Sequence, residues 1–343
     1  MVTKEQALEM FASDDLIGIG MEADAARRKF HPHGVATYII DRNINHTNLC
    51  TEYCSFCAFY RPMGHAEGYV LPKEEIYSKI QETLDLGGTG VLMQGGVNPD
   101  LKIEYFEDLF QSIKQRYRIH LHCLSAPEIL TIAEVSGLTI RETIARLRDA
   151  GLDSIPGAGA EVLDDEVRHS IARLKCNTED WINVHRTAHQ IGLNTTATMM
   201  FGCGETFEHR VNHLETLRRL QEETGGFTAF IPWPFQPENT ALGRKVKEET
   251  TAVDFLKTLA ISRLYLDNFI NVQTSWVTQG LKICQLGLRF GGNDVGSVML
   301  EENVVRPAGT QHHATEEDLR RIIRDAGFVP KQRDTLYRTI YLN

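Results

Sequence analysis

Three cysteines lie close together early in the chain. Cys50, Cys54 and Cys57 follow the spacing C-x3-C-x2-C. Thiolates at this spacing on one loop can bind three irons of a [4Fe–4S] cluster, whereas most electron-transfer clusters have four cysteine ligands. The fourth iron then lacks a protein ligand and can bind a small molecule. The spacing therefore predicts a cluster with one open coordination position.

The same cysteines permit two simpler interpretations. They could form a structural zinc site with His46 or His65 as the fourth ligand, although such sites usually have paired C-x2-4-C motifs and this sequence has no second pair. They could also be packing residues, since free cysteine is often buried. Three cysteines within eight positions are poorly explained by packing. A zinc protein or a simple electron carrier remains the alternative from another functional class.

The composition is that of an ordinary globular protein. The 343 residues are 42% hydrophobic and 24% charged, which allows a sizeable core. Acidic residues outnumber basic ones, 46 to 36, whereas nucleic-acid binding needs a basic face. The seven cysteines, three of them clustered, do not resemble a disulfide framework. With no signal peptide or membrane span in the sequence, we expect a cytoplasmic enzyme that acts on a small molecule, without nucleic-acid or membrane partners.

Segments with strand character alternate with segments of helical periodicity. This alternation predicts an α/β fold with a parallel sheet, and eight units favour a (β/α)8 TIM-like barrel. We expect one domain over residues 1–343, with a helical extension at 1–34, the barrel at 35–330 and a closing C-terminal helix at 316–326. The predicted strands are 35–40, 90–93, 119–124, 153–156, 195–201, 227–231, 270–276 and 288–290. Active sites of such barrels lie where the strands end, and the cysteines directly follow the first strand.

Glycines and polar residues also follow later strands. Gln94, Gly95 and Gly96 end the second strand, where glycine allows a ligand to approach the backbone closely. The glycine-rich turn 156–160 precedes Glu161 and a helix, which favours an anion. An ordinary turn explains each of these equally well. Aromatic and amide side chains at the remaining strand ends suit a ligand with a flat ring and hydroxyls, although packing is the alternative. The substrate-binding candidates are His122, Ser125, Trp233, Gln236, Ser275, Asn293 and Asp294.

The cysteine motif has family context. Its spacing, with Phe56 directly before the third cysteine, resembles the signature of the radical S-adenosylmethionine (SAM) superfamily. The glycine pair after the second strand partly matches the superfamily's GGE element, with Val97 in place of the acid. The segment 198–205 partly matches its GxIxGxxE element, with Thr198 in place of the first glycine.

This resemblance implies two cofactors and the residues that hold them. A [4Fe–4S] cluster is expected on Cys50, Cys54 and Cys57, with SAM bound at its open iron. The residues implied in SAM binding are Phe56, Phe59, Gln94, Gly95, Gly96, Glu161, Arg168, Lys175, Met200, Gly202 and Glu205. Solvent exposure is the alternative for Arg168 and Lys175.

Longer segments over residues 36–330 resemble the menaquinone-pathway group of this superfamily, which includes aminofutalosine synthase and the deazaflavin synthase halves. Segments 235–240, 275–280 and 292–297 resemble one family within it, the dehypoxanthine futalosine cyclases. This implies hydrogen abstraction from the ribose of dehypoxanthine futalosine, radical attack on its benzoate ring, and loss of a proton and an electron. The cluster then needs an electron donor such as flavodoxin or ferredoxin.

The residue that accepts the released proton does not follow from the resemblance. His46, Tyr60 and Glu205 are weak candidates, and a buried structural role is the alternative for each. Aminofutalosine synthase, which adds the adenosyl radical to a double bond, is the alternative function within the group.

Overall fold

The computed structural model describes residues 2–246 and 248–339. In these residues the chain forms ten strands whose ladders are all parallel, and twelve α-helices. The strands are β1 Val35–Ile39, β2 Asp41–Ile44, β3 Gly90–Met93, β4 His120–Cys123, β5 Ser154–Ile155, β6 Asn194–Phe201, β7 Phe227–Pro234, β8 Asn271–Val272, β9 Asp294–Ser297 and β10 Val329–Gln332. The predicted α/β class is confirmed.

The helices lie between the strands, as the sequence periodicity predicts. They are α1 Lys4–Ala12, α2 Leu16–Phe30, α3 Lys73–Asp85, α4 Ile103–Arg116, α5 Ala126–Ser136, α6 Ile140–Ala150, α7 Asp165–Ile171, α8 Thr178–Gln190, α9 Phe207–Thr224, α10 Ala252–Tyr265, α11 Gly280–Gly287 and α12 Glu316–Asp325. Helix α4 shows why they pack on the sheet. Its buried residues Phe106, Leu109, Phe110 and Ile113 recur at helical spacing and form one apolar face.

Two sheets combine into a barrel. Strands β2 to β8 form one sheet in sequence order, and β10, β1 and β9 form the other. Only Ile40 separates β1 from β2. On the opposite side, Gln273 bridges to Asp294, and the amide of Thr274 donates to the carbonyl of Asp294 at 2.8 Å. Backbone pairing therefore continues around the barrel, as the predicted TIM-like architecture requires.

The prediction for the last strand of the barrel, 288–290, is wrong. Leu288 and Phe290 lie in a tight turn after α11, where their amides donate to the carbonyls of Gln285 and Gly287. Leu288 packs in a buried cluster with Cys284 and Val295, which accounts for an apolar residue at this position outside a strand. Gly291, with φ of +95°, redirects the chain. The strand that pairs with β1 begins three residues later, at Asp294.

The sequence did not indicate β10. It pairs in parallel with β1, in register from Val35 with Val329 to Tyr38 with Gln332. Its composition is mostly polar and includes Pro330, so the segment lacks the sequence character of a strand. Proline is tolerated there because β10 is an edge strand. The described chain beyond it, residues 333–339, runs under the barrel at the amino-terminal ends of the strands; we call this segment the C-terminal tail.

The N-terminal extension consists of two helices, α1 and α2. Thr3 and Gln6 form a capping box on α1, and Asp15 caps α2 through the amide of Gly18. Helix α2 packs on α10, while α1 packs on α9 and α10. In the described part of the chain no helix has both the length and the apolar character needed to cross a membrane.

Candidate functional site

One cavity of about 410 Å³ occupies the barrel and opens where the strands end. Many of the residues that the sequence singled out line its walls. They are Cys50, Cys54, Phe56, Cys57, Phe59, Tyr60, Gln94, Gly95, Gly96, His122, Ser125, Glu161, Lys175, Trp233 and Ser275. The fold therefore brings together groups from widely separated parts of the chain.

The cysteine loop leaves β2 and is held by backbone hydrogen bonds. The amide of Cys50 donates to the carbonyl of Arg61 and that of Thr51 to Val97, both at 3.0 Å. Cys50 and Cys54 are buried, Cys57 is half-buried, and all three are free thiols. Within residues 2–246 and 248–339, no group of three or more His, Cys, Asp or Glu side chains already has the geometry of a metal site. The loop directs three thiols to one cavity without a preformed coordination shell.

The two histidines suggested as zinc ligands lie elsewhere. His46 is buried with its ring edge against Phe106, at 5.5 Å between centroids, and its Nε2 is 3.8 Å from Glu128. Burial lowers the pKa of His46 to about 4. His65 is exposed and accepts the amide of Glu67. Neither lines the cavity. Three thiols facing a cavity thus fit a cluster with one open iron better than a four-ligand zinc site.

The glycine pair after β3 is required by the cysteine loop itself. A Cβ on Gly96 would lie 2.2 Å from the carbonyl oxygen of Leu49 and 2.9 Å from the Cβ of Cys50. A Cβ on Gly95 would lie 2.8 Å from the carbonyl oxygen of Thr47. The amide of Gly95 donates to the carboxylate of Glu128 at 3.0 Å. The absence of side chains lets the loop pack directly on the end of β3.

An ion-paired group stands beside the cysteines. Lys175 Nζ donates to Glu161 Oε1 at 2.6 Å and lies 3.6 Å from Glu52 Oε2 and 3.9 Å from the sulfur of Cys54. It also lies 5.4 Å from the centre of the Phe56 ring. Burial acts to raise the pKa of Glu161, but Lys175 outweighs it and the net shift is downward. Glu52 was not among the predicted site residues, and its only signal in the sequence is its position between Cys50 and Cys54.

Arg168 does not reach the cavity, contrary to its predicted role in SAM binding. It is buried, and its guanidinium donates to the carbonyls of Gly159, Ala160 and Cys176, at 3.1, 2.5 and 2.5 Å. These bonds use the donors that a ligand carboxylate would need. Arg168 instead fixes the turn that carries Glu161, whose backbone has φ of +42°.

The residues at the end of β6 and in the turn after it, from Met200 to Glu205, also lie outside the lining of the cavity. Met200 is fully buried and packs in a cluster with Cys54 and Phe235. Glu205 accepts the amide of Gly202 at 2.7 Å and the guanidinium of Arg210 at 2.7 Å, and its side chain is fully buried. These contacts make Glu205 a support for the turn rather than a candidate proton acceptor.

Three of the predicted substrate contacts are used inside the protein. Gln236 donates to the carbonyls of its own loop. The side-chain oxygen of Asn293 accepts Arg263 at 2.7 Å, and its amide nitrogen donates to Asn271. Asp294 is fully buried and paired with Arg333. None of the three lines the cavity, so their predicted direct contact with substrate has no support in this geometry.

The floor of the cavity was not anticipated. Arg333, Thr335 and Tyr337 of the C-terminal tail line it from below. A Cβ on Gly90 would lie 2.6 Å from Thr335 Oγ1, so this glycine makes room for the tail. Asp41 also lines the cavity and accepts a hydrogen bond from Ser297. Burial raises the pKa of Asp41 to about 6.

Two family models match this chain. The Radical SAM superfamily matches residues 44–217, which include the cysteine loop and β6. The CofH/MqnC C-terminal region matches residues 224–342. The boundary falls within α9, after β6 and before β7, so the two matches contribute opposite walls of one cavity.

Relatives with three different names are similar over nearly the whole chain. Cyclic dehypoxanthine futalosine synthase of Halalkalibacterium halodurans is 49% identical, over 99% of this chain and 91% of its own. 5-amino-6-(D-ribitylamino)uracil–L-tyrosine 4-hydroxyphenyl transferase of Archaeoglobus fulgidus is 40% identical, over 96% and 97%. Aminodeoxyfutalosine synthase of Thermus thermophilus is 38% identical, over 98% and 91%.

A solved structure supports the fold. Methylornithine synthase (PylB) superposes with a TM-score of 0.77 over 96% of this chain and 94% of its own. The sequence identity is 18%, so the likeness concerns the architecture of the barrel alone.

Proposed function

This chain belongs to the radical SAM superfamily, and we propose that it converts dehypoxanthine futalosine to its cyclic form. The proposal rests on one observation, a single cavity that joins the cysteine loop to the polar ends of the later strands. A cofactor on the loop and a substrate against the opposite wall are then in contact. The 49% identity to a cyclic dehypoxanthine futalosine synthase supports this choice of substrate within the superfamily.

We assign the cofactors to the wall formed by the cysteine loop and β3 to β5. Cys50, Cys54 and Cys57 are the proposed cluster ligands, and their free thiols suit that role. A cluster and SAM, when bound and reduced, supply a carbon-centred radical that removes hydrogen from a substrate. The Lys175–Glu161 pair offers a cation and a carboxylate for the carboxylate and the amine of SAM, and Phe56 offers an aromatic surface.

The substrate is assigned to the wall formed by the later strands. Trp233 and Ser275 line this wall, His122 and Ser125 line the cavity at the end of β4, and together they provide ring faces and hydrogen-bonding groups. Tyr60 stands at the rim of the cysteine loop, with its ring 5.7 Å from that of Tyr53. These groups suit a nucleoside-like molecule with a benzoate ring and ribose hydroxyls.

Exclusion of water is the second task of the cavity, because a carbon radical reacts with stray hydrogen donors. The C-terminal tail covers the floor through Arg333, Thr335 and Tyr337. The amino-terminal ends of the strands are therefore blocked, and ligands enter from the opposite end.

Reduction of the cluster requires an external one-electron donor in this proposal. Cys123, Cys176, Cys203 and Cys284 are free and lie apart from the cysteine loop in sequence. Within the described residues they form no second metal-binding group. A flavodoxin- or ferredoxin-type protein is the class of donor that we propose.

The test is an anaerobic reaction of the reconstituted protein with SAM, dithionite and dehypoxanthine futalosine, followed by mass spectrometry. We expect a product two hydrogens lighter than the substrate and an equal amount of free 5′-deoxyadenosine. The Cys54→Ala variant is expected to lose both products. Absence of the mass change with the wild-type protein would reject the proposed cyclisation.

The relatives with other names define the competing outcomes. Retention of the adenosyl group in the product would identify the chemistry of an aminodeoxyfutalosine synthase, the second candidate function. Reaction of tyrosine with 5-amino-6-(D-ribitylamino)uracil, and none with dehypoxanthine futalosine, would identify the transferase. The reactions with dehypoxanthine futalosine and with 5-amino-6-(D-ribitylamino)uracil use the same protein preparation. Poor reconstitution of the cluster therefore affects them equally.

A further inference from the structure

Three side chains form a connected path from the wall of the cavity towards the amino-terminal end of the barrel. His122 lines the cavity, and its Nδ1 lies 2.7 Å from the hydroxyl oxygen of Ser154. The Nε2 of His120 lies 2.7 Å from the same oxygen. Ser154 is only 1% exposed. One buried hydroxyl therefore joins two imidazole rings.

Strand geometry explains the arrangement. His120 and His122 are two residues apart on β4, so both side chains point to the same face of the sheet. Ser154 on β5 pairs in register with His122. On the other side, His120 pairs with Gly90, whose missing side chain leaves space that Thr335 fills. The path is part of the barrel framework rather than of a mobile loop.

Hydrogen-bond counting shows that the three groups can share protons in a chain. Burial lowers the pKa of His122 to about 3 and also lowers the pKa of His120, so both rings are neutral near pH 7. A neutral imidazole has one donor and one acceptor, and a hydroxyl donates once. The three groups can therefore form a chain in which one ring donates to Ser154 and Ser154 donates to the other ring. Such a chain can reverse its direction when a proton enters at one end.

The outer nitrogens of the path are the ends through which a proton can pass. Within the described residues, neither Nε2 of His122 nor Nδ1 of His120 has a hydrogen-bond partner, and neither atom is fully enclosed. His122 presents its end to the cavity. His120 is half-buried and does not line the cavity, so its exposed part lies outside the cavity.

We propose that His122, Ser154 and His120 form a proton relay for the last step of the cyclisation. This inference rests on the proposed function, because it requires a substrate that loses a ring proton. After the ribose carbon has bonded to the benzoate ring, the ring carbon still bears its hydrogen and aromaticity is broken. The relay removes that hydrogen as a proton.

The step balances in atoms and electrons. The C–H bond breaks and an N–H bond forms at Nε2 of His122, while its Nδ1 proton moves to Ser154. The hydroxyl proton of Ser154 moves to Nε2 of His120, and the Nδ1 proton of His120 leaves to water. The C–H electron pair restores the aromatic ring, and the unpaired electron leaves to a one-electron acceptor, an iron–sulfur cluster or an external redox protein.

Charged groups surround the outer end of the relay. The carboxylates of Asp153 and Asp334 act to raise the pKa of His120, while Lys114 and Arg338 act to lower it. At the inner end, Arg333 and His120 lower the pKa of His122. A transient positive charge is therefore better tolerated at His120, which favours movement of the proton outwards.

The test separates hydrogen abstraction from proton loss. We expect Ser154→Ala and His120→Gln to keep forming 5′-deoxyadenosine while the ratio of cyclised product to 5′-deoxyadenosine falls about tenfold, since positioned proton transfer contributes at least about that factor. A matched control is Thr195→Val on the neighbouring strand, β6. It removes a buried hydroxyl whose oxygen lies 2.8 Å from Nε2 of His189. Its ratio is expected to match the wild type.

A second measurement needs no cofactor. In ¹⁵N-histidine NMR spectra of the cofactor-free protein, Ser154→Ala is expected to shift the signals of both His120 and His122, whereas Thr195→Val shifts that of His189. Unchanged signals in Ser154→Ala, or a wild-type product ratio in a folded Ser154→Ala protein, would overturn the relay. A wild-type protein that forms no cyclised product would instead overturn the proposed function.

Discussion

Arg333 donates to both carboxylate oxygens of Asp294, at 2.5 and 2.9 Å. The pair connects the C-terminal tail to β9, and Thr37 on β1 adds a third hydrogen bond to the same carboxylate. Both charged side chains are almost fully buried. Neighbouring charges raise the pKa of Arg333 above its ordinary range, although burial acts in the opposite direction. The pair therefore fastens the floor of the cavity to the strands that close the barrel.

Removal of the arginine from this pair is expected to destabilise the protein strongly. Arg333→Met leaves a buried, uncompensated carboxylate, which costs about 3–5 kcal/mol. The double variant with Asp294→Asn is expected to recover part of that loss, because no buried charge remains. Urea unfolding measures both. Arg338→Met removes a mostly exposed partner of Asp334 and serves as the control, with a change of about 0–1 kcal/mol. Equal effects of Arg333→Met and Arg338→Met would contradict the assignment.

The Lys175–Glu161 pair gives a second stability prediction, in the cofactor-free protein. Lys175→Met leaves Glu161 and Glu52 without their shared cation and is expected to cost about 3–5 kcal/mol. Combined with Glu161→Gln, the loss is expected to be smaller than the sum of the two single losses, because the residues interact directly. Lys73→Met, which removes an ion pair with the exposed Asp108, is the control. Simple additivity of the two changes would argue against the pair.

Gly96→Ala tests whether the glycine pair serves the cysteine loop. The new Cβ would meet the carbonyl oxygen of Leu49 at 2.2 Å, and backbone must move to relieve it. We expect reconstituted iron content and the visible absorption of the cluster to fall several-fold. Gly192→Ala places a methyl group where no atom lies within 4 Å, at a backbone with φ of +87°, so it adds strain without touching the loop. A full iron content in Gly96→Ala would disprove the packing argument.

Asp41 gives a pH-dependent prediction. Burial raises its pKa from 3.8 to about 6, with Asp294 acting in the same direction and Ser297 and Arg333 opposing. Between about pH 4 and 6 the folded state holds more protons at Asp41 than the unfolded state, so its contribution to stability falls as pH rises through this window. Asp41→Asn is therefore expected to be more stable than the wild type at pH 8, by about 1–3 kcal/mol.

The gain from Asp41→Asn should disappear near pH 4, where Asp41 is neutral in the folded protein. Thermal unfolding across the pH range measures the difference. Asp267→Asn, at an exposed position, is the control and is expected to change stability by no more than about 0.5 kcal/mol. A stability gain of Asp41→Asn that is the same at every pH would show that removal of the buried charge is not its cause.

Local spacing in the sequence was enough to predict part of the site. The three cysteines, Phe56 and the glycine pair lie within short segments whose pattern is legible without the fold. Their gathering in one cavity also followed from the alternation of strands and helices, since parallel strands of a barrel end on the same side. The predicted boundaries of seven of the eight strands agree with the structure within a few residues.

Other features depend on contacts that only the folded chain defines. Asp294 was predicted to contact the substrate, because no local sequence pattern indicates that its carboxylate is paired with Arg333. Arg168 looked like a ligand for a carboxylate because its three carbonyl partners are defined only by the folded turn. Residues such as these acquire their role from the folded structure, which short motifs do not encode.

The position of the C-terminal tail has a consequence for the order in which the protein is made. The cysteine loop and the strands beside it leave the ribosome early, and domains generally begin to fold from the amino-terminal side during synthesis. The floor comes from residues 333–339, which emerge last among the described elements. In a nascent chain the thiols therefore lie in an incomplete barrel that is open at both ends. The chamber that shields radical chemistry exists only after translation has passed Tyr337.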